Sequence, residues 1–349
     1  MSLYDIRGVI HCHSTQSGGA GSIEDIAKAA NEVGIDFVVL NDANTLKART
    51  EGQEKYHGST LVIVGTEIAP EAGNRLIALG DEPLQGVEGL HSKAPQEAID
   101  EIARQGWLPF ISDPDSTGSK RFGKPAKAWS DWNAQNYTGI AVWNLNTDWL
   151  AQVERDTATI ADHKEFENAL AGPRTETIKR WDALLQKRKV VGIGEVDAYN
   201  WKLDFAGESV QVFPYETALK TITNHLLLPK PLDKNPNKAK KQVLEALRAG
   251  RLYVSFDWWD DPTDFTFEVD NGKKTALMGE EIAMGEKTEL VVAVPEEALI
   301  NVFHNGESIH EEGNDEVLIE ISQPGVYRIE AMRDNLTWVL SNPIWVKKT

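Results

Sequence analysis

His11 and His13, separated by one residue, end the apolar run Val9-Ile10 and are followed by Ser14 and the loop Ser17-Gly18-Gly19. If residues 9–13 form a strand, its period of two puts both imidazoles on one face and Cys12 on the other, so two neutral nitrogens can converge on one metal ion. The pair alone reads as ordinary strand polar residues. Its position, where an apolar strand opens into a Ser/Gly loop, is what points to a ligand-bearing rim. Carboxylates end later apolar runs too: Asp42 after 37–40, Glu67 after 61–64, Asp113 and Asp115 after 108–111, Glu195 and Asp197 after 190–194. Two imidazoles with several carboxylates suit Zn, Mn or Fe better than Mg, which prefers oxygen and water ligands. Each carboxylate singly is also what a helix cap or turn uses, so the set says more than any member.

Such residues need a scaffold that gathers successive strand ends. Residues 23–33 place apolar side chains at Ile23, Ile26, Ala27, Ala30 and Val33 between a Ser22 cap and a Gly34 stop, which predicts a helix. Runs 37–40, 61–64, 108–111, 139–144 and 190–194 are apolar but for Asn144, as in strands buried on both faces of a parallel sheet. Helices are predicted over 95–104 and 175–187, a charged helical excursion over 147–170, and two closing helices over 215–226 and 237–249. Apolar strands alternating with amphipathic helices predict an α/β fold, and polar residues at successive strand ends predict a (β/α) barrel with its site at that rim. After Gly250 the pattern becomes short alternating strands, with turns at Asp270-Asn271-Gly272 and His304-Asn305-Gly306. This predicts a small, immunoglobulin-like β-sandwich. The expected division is a barrel domain over 1–255 and a sandwich over 256–349.

A chain of 349 residues has room for a barrel-sized domain and a smaller partner. Its formal charge of −18 would repel a phosphate backbone, and no basic stripe with interleaved aromatics is present. The expected partner is therefore a small-molecule substrate, not nucleic acid. Residues 261–349 hold 18 Asp and Glu against 7 Lys and Arg, which fits a separate, solvated domain there. The lone Cys12 excludes an internal disulfide framework and reads as a small core residue. No run approaches the roughly 18 apolar residues of a membrane span, and the N-terminus has no signal pattern. The cytoplasm is the expected compartment, with secretion open should a segment precede Met1; a homo-oligomer is also open. Trp129, Trp132, Trp143 and Trp149 crowd one stretch, as core or as an aromatic binding wall.

His11-Cys12-His13-Ser14, residues 37–44, Gly65-Thr66-Glu67-Ile68, residues 110–115 and residues 192–199 resemble, in order, the motifs of the PHP (polymerase and histidinol phosphatase) family of metal-dependent phosphoesterases. Residues 324–330 and 340–344 resemble the end of members that add a β-sandwich, such as the CehA/McbA-like metallohydrolases. The resemblance spans nearly the whole chain and implies a distorted seven-stranded (β/α) barrel with hydrolysis by up to three metal ions. Departures are patterned: Ala43 stands for a histidine after Asp42, Asn74 for another, Ser112-Asp113-Pro114 for Ala-His-Pro, and Asp197-Ala198-Tyr199 for Asp-x-His. On this resemblance the first metal position keeps all its ligands, as His11, His13, Glu67 and Asp197. The second retains Glu67 and either Asp113 or Asn74. The third has lost its ligands to the Gly18-Gly19 loop, Ala43 and Tyr199. One divalent transition metal, Zn, Mn or Fe, is expected, and a second is not.

The implied chemistry is a one-metal hydrolase, in which metal-bound hydroxide, formed from a water whose pKa falls towards ~7, attacks a small phosphate ester, carbamate or amide. Asp113 or Asp42 would be the general base, and Tyr199 would donate a hydrogen bond to the developing oxyanion. Lys120, Arg121 and Lys124, just after the Asp113 loop, would bind an anionic substrate or form a solvated loop. The alternative expectation is a catalytically degenerate protein of the same fold that binds a ligand or partner without turnover.

Overall fold

The computed structural model describes residues 3–120, 123–155, 170–205 and 208–348. The chain opens with β1 (Tyr4–Cys12), α1 (Ile23–Val33), β2 (Phe37–Leu40), α2 (Lys47–Thr50), β3 (Tyr56–His57) and β4 (Thr60–Val64). Strands β1, β2 and β4 are parallel neighbours. Ser22 and Asp25 form a reciprocal capping box at the start of α1, and Gly34, at φ 81°, ends it in the left-handed conformation. Past Gly65 the chain enters a second sheet, β5 (Thr66–Ile68), β6 (Leu76–Leu79), β7 (Leu108–Ile111), β8 (Gly139–Asn144) and β9 (Val191–Glu195), connected by α3 (Pro95–Arg104), α4 (Leu145–Arg155) and α5 (Thr175–Leu185). The excursion expected over 147–170 is helical to Arg155; residues 156–169 lie outside the described residues. A hairpin, β10 (Trp201–Phe205) and β11 (Glu208–Val212), precedes α6 (Tyr215–Ala218), β12 (Ile222–Leu228), α7 (Pro236–Ala249) and β13 (Leu252–Phe256).

The all-apolar runs are explained by the way each strand divides its side chains. In β2, Phe37 and Val39 enter one core and Val38 and Leu40 another; β4 does the same with Leu61 and Ile63 against Val62 and Val64, and β6 with Ile77 and Leu79 against Leu76 and Ala78. The first core lies between the sheets and is completed by Ala239, Val243 and Leu247 of α7, while the second receives Ile26 and Ala30 of α1, Ile99 and Ile102 of α3 and Trp181 of α5. Trp129, Trp143 and Trp149 are buried in that second core, with Trp132 packed partly against it, so this stretch is core and not an open aromatic wall.

The expected parallel (β/α) barrel is corrected in two ways. Strand β1 is flanked on its other side by antiparallel β12, and β5, β6 and β7 run antiparallel, so the α/β sheets are mixed. Nor do the ladders close. The free edge of β9 is met by two buried amides: Asn224 accepts from Gly194 N–H and donates to its carbonyl, and Asn342 does the same at Gly192. Side chains thus satisfy backbone groups that a neighbouring strand would otherwise take. The two sheets touch at isolated bridges, Cys12 with Ala198 and Ala43 with Glu67. The helix expected over 215–226 is also wrong. Only α6 is helical, and β12 follows as a strand buried on both faces, as suits the β-branched Ile222 and Thr223 that open it.

After α7 the described chain is all-β: β14 (Thr266–Asp270), β15 (Thr275–Leu277), β16 (Glu281–Ala283), β17 (Glu289–His304), β18 (Glu307–Glu320), β19 (Gly325–Arg333), β20 (Leu336–Ser341) and β21 (Ile344–Lys347). Asn305 and Gly306, at φ 53° and 87°, turn β17 into β18 with the two positive φ values that a tight hairpin favours. Hydrogen bonding does not break at residue 255, because Tyr253–Ser255 pair with Val339–Ser341 and join these strands to the first sheet. A bidentate ion pair, Asp182 of α5 with Arg328 of β19 at 2.7 and 2.8 Å, ties the two parts together. No helix among the described residues is long and apolar enough to cross a membrane.

At the opposite end of β1 from His11, His225 is fully buried between Asp5 (2.9 Å) and Asp257 (3.3 Å), with Tyr253 stacked on its ring. Burial opposes the imidazolium, but the Asp257 and Asp5 carboxylates prevail and push the His225 pKa from 6.5 up to about 10. A raised folded-state pKa contributes stability that is complete below 6.5 and is lost as pH rises through 10. Wild-type stability should therefore fall between those values relative to His225→Asn, by at most ~1.4 kcal/mol per pH unit. Urea titrations of both proteins measure the difference, and parallel pH profiles would contradict the assignment.

Candidate metal centre

The His pair does converge, though not by strand alternation. The register of β1 against β2 slips between Ile10 and Cys12, and His11 sits at φ 78°. That bulge turns the His11 ring inward, its centroid 5.0 Å from that of His13. Glu67 arrives from β5 and Asp197 from the end of β9, and one donor atom from each of the four buried residues lies within 4.8 Å of the others. His11, Asp113 and Asp197 all have positive φ (78°, 45° and 48°), a clustering of backbone strain that commonly marks a functional site.

The donor set fits a single ion. His11 Nε2 lies 3.0 Å from Glu67 Oε2 and 3.5 Å from Asp197 Oδ1; His13 Nε2 lies 3.5 and 3.4 Å from the same oxygens. A tetrahedral ion with bonds of about 2.0–2.1 Å holds its ligands about 3.3–3.4 Å apart. His13 Nε2 and Asp197 Oδ1 are buried and have no hydrogen-bond partner among the described residues. Such orphaned atoms are costly unless something binds them.

A second layer orients the rings. The Ser17 hydroxyl donates to Asp42 (2.6 Å), so it accepts from His13 Nδ1 (2.9 Å) and leaves Nε2 as the free lone pair. Asp42 also accepts from Ser14 N–H (2.8 Å) and the Ser14 hydroxyl (2.7 Å), so both its oxygens are engaged behind His13. Glu195, fully buried and held by Ser112 (2.9 Å) and Asn144 (3.0 Å), lies 3.5 Å from His11 Nδ1. Burial disfavours the charged His11, yet Asp197 and Glu195 outweigh it and push its pKa up to about 10. Burial likewise opposes ionisation of Glu67 and Asp197, but the two histidines and Arg75 hold both well below the usual carboxylate range. A bound cation would stand in for the His11 proton in this balance.

Arg75 was not singled out in the sequence. It is buried, with Nη2 2.5 Å from Asp113 Oδ2 and Nη1 3.3 Å from Asp197 Oδ2 and 3.6 Å from Glu67 Oε2. Asn74, read as a candidate ligand, turns away to Glu71 and Ser130. Asp113 also accepts from Thr147, and burial raises its pKa against the opposing pull of Arg75. Tyr199 stacks on His13 at 3.9 Å and Trp201 on Tyr199 at 4.6 Å, with Lys124 Nζ 3.8 Å above Trp201. Burial and the Asp197 and Glu67 carboxylates raise the Tyr199 pKa, so its hydroxyl keeps its proton.

A cavity of about 350 Å³ opens onto this group, lined by Arg75, Asp113, Lys124, Lys127, Asp197 and Tyr199 among others. Of the expected substrate-binding cations, Lys120 lines a separate cavity of about 560 Å³, and Arg121 lies outside the described residues. Lys124 is the one at the site. Asp115 faces Thr177 and Arg180.

No family model and no curated protein sequence matches the chain. Among solved structures, a two-domain protein containing a predicted PHP-like metal-dependent phosphoesterase from Bacteroides vulgatus aligns over 97% of this chain and 95% of its own, at 12% identity and a TM-score of 0.43. The chain is similar to PHP-like proteins. PsfC from Pseudomonas syringae aligns over 70% of this chain and 97% of its own, at 11% identity and a TM-score of 0.40. A lesion-specific endonuclease from Pyrococcus furiosus aligns over 69% of this chain and 56% of its own, at 13% identity and a TM-score of 0.41. Likeness at this level says nothing of activity, which rests on the chain's own side chains.

Proposed function

We propose that this chain is a hydrolase holding one divalent transition metal ion, Zn, Mn or Fe, on His11, His13, Glu67 and Asp197, and acting on a small phosphate ester, carbamate or amide. The observation that carries this reading is four buried donors at one ion's ligand spacing, two of their atoms otherwise unpartnered. When bound, the ion supplies Lewis-acid polarisation of a substrate oxygen and acidifies a water towards a pKa of ~7.

The chain's residues supply orientation, charge and a proton acceptor. Ser17 fixes the His13 imidazole by a hydrogen bond, and the Glu195 carboxylate stands 3.5 Å from His11 Nδ1 as its charge partner. Asp113, on the cavity wall with its pKa raised by burial, is assigned as general base. Asp42, engaged by Ser14 and Ser17, is reassigned to holding the His13 loop. Tyr199 remains a protonated donor for developing negative charge. Arg75, Lys124 and Lys127 give the cavity a preference for an anionic substrate, and about 350 Å³ limits it to a small one. The same reading treats the two sheets as halves of a split, distorted barrel in 1–255, with the β-sandwich of 256–349 as a separate domain.

Binding without turnover is the second reading, favoured by one observation: both Asp113 oxygens are engaged, by Arg75 and by Thr147. Purification without chelator, elemental analysis, and a panel of phosphate monoesters, carboxyl esters and aryl carbamates separate the two. Turnover that stops on chelation and returns with Mn²⁺ or Zn²⁺ is the expected result. Metal retained without turnover would favour binding alone, and no metal with no restored activity would overturn the hydrolase.

A further inference from the structure

We propose that Arg75 is a built-in second cation: its guanidinium occupies the place beside the metal position where another ion would otherwise be held, and so fixes the metal content at one. The inference rests on the metal reading of His11, His13, Glu67 and Asp197.

The carboxylates are divided between two positive partners. Asp197 turns Oδ1 to the histidines, at 3.5 and 3.4 Å, and Oδ2 to Arg75 Nη1, at 3.3 Å, where Asn146 also donates at 3.1 Å. Glu67 Oε2 is 3.0 Å from His11 Nε2 and 3.6 Å from Arg75 Nη1. Asp113 serves only the second position, at 2.5 Å from Nη2. Carboxylates shared between two adjacent cations are the framework of two-metal sites, whose ions stand about 3.5–4 Å apart. Here one of those cations is covalently part of the chain.

A guanidinium suits the place. It stays charged at any pH the protein survives, and its planar fork engages several carboxylate oxygens at once. Its charge is met by Asp113 at 2.5 Å, Asp197 at 3.3 Å and Glu67 at 3.6 Å. A divalent ion entering there would have to displace a buried, ion-paired side chain whose neighbour Asn74 points away as a possible ligand. Arg75 also lines the cavity beside Lys124 and Lys127.

The test is metal content and spectrum, not activity. Wild type, Arg75→Met and Arg75→Lys are dialysed against saturating Mn²⁺, analysed for metal per chain, and examined by electron paramagnetic resonance, with circular dichroism confirming the fold. Wild type and Arg75→Lys should hold one Mn²⁺ with the spectrum of an isolated ion. Arg75→Met should hold two, with a spin-coupled spectrum, because three carboxylates lose their counter-charge. Two coupled ions in wild type, or one in folded Arg75→Met, would overturn the role of Arg75 while leaving the metal reading standing. No bound Mn²⁺ in wild type would overturn both. Should Arg75→Met not fold, the wild-type spectrum still decides, since an isolated ion supports the proposal and a coupled pair refutes it.

Discussion

His11→Ala is expected to cost the protein its metal. The substitution removes a ligand that touches both Glu67 and Asp197, and it leaves Glu195 buried with its imidazole partner gone. Affinity for Zn²⁺ or Mn²⁺ should fall by more than the roughly 10–100-fold that follows loss of an outer partner of a ligand. Competition against a chromophoric chelator measures it. Asp115→Ala is the control: that carboxylate faces Thr177 and Arg180, and its loss should leave affinity unchanged. A folded His11→Ala protein that binds metal as wild type does would remove the histidine pair from the site.

The second large effect is on stability. Arg328 is 2% exposed, bonds both oxygens of Asp182 and lies 3.9 Å over the Phe303 ring. Arg328→Met leaves a buried carboxylate without its partner and should destabilise by ~3–5 kcal/mol. Asp182→Leu combined with Arg328→Met should recover most of that, since two apolar side chains need no counter-charge. Urea denaturation of the three proteins gives the comparison. A single-variant loss under about 1 kcal/mol would mean that water reaches the pair and screens it, as at an exposed salt bridge.

That the His pair, Glu67 and Asp197 gather in one place was legible from the set and not from any member, because each follows an apolar run at a strand end while a single such residue also serves as a cap or turn. Their manner of convergence was not. Alternation along β1 predicts the right face for the wrong reason, since the left-handed His11 bulge is set by the packing of β1 between β2 and the end of β9. Arg75 was invisible because an arginine at the head of Leu76–Leu79 looks like a solvent-facing strand residue. The available signal was charge: a rim gathering that many acids cannot bury them without a cation. Closure of the sheets was misread because Asn224 and Asn342 do with side-chain amides what a strand would do with its backbone, and isolated asparagines carry no such label in sequence. The helix expected over 215–226 failed on a run whose apolar residues fit either period, and tertiary pairing with β1 decided for strand.

The central claim, one ion beside one guanidinium, is tested most directly by anomalous diffraction from crystals grown with Zn²⁺ or Mn²⁺ and measured at the metal's absorption edge. The account predicts a single peak within bonding distance of His11, His13, Glu67 and Asp197, with Arg75 still paired to Asp113. Two peaks with Arg75 displaced, or no peak at those four residues, would contradict it.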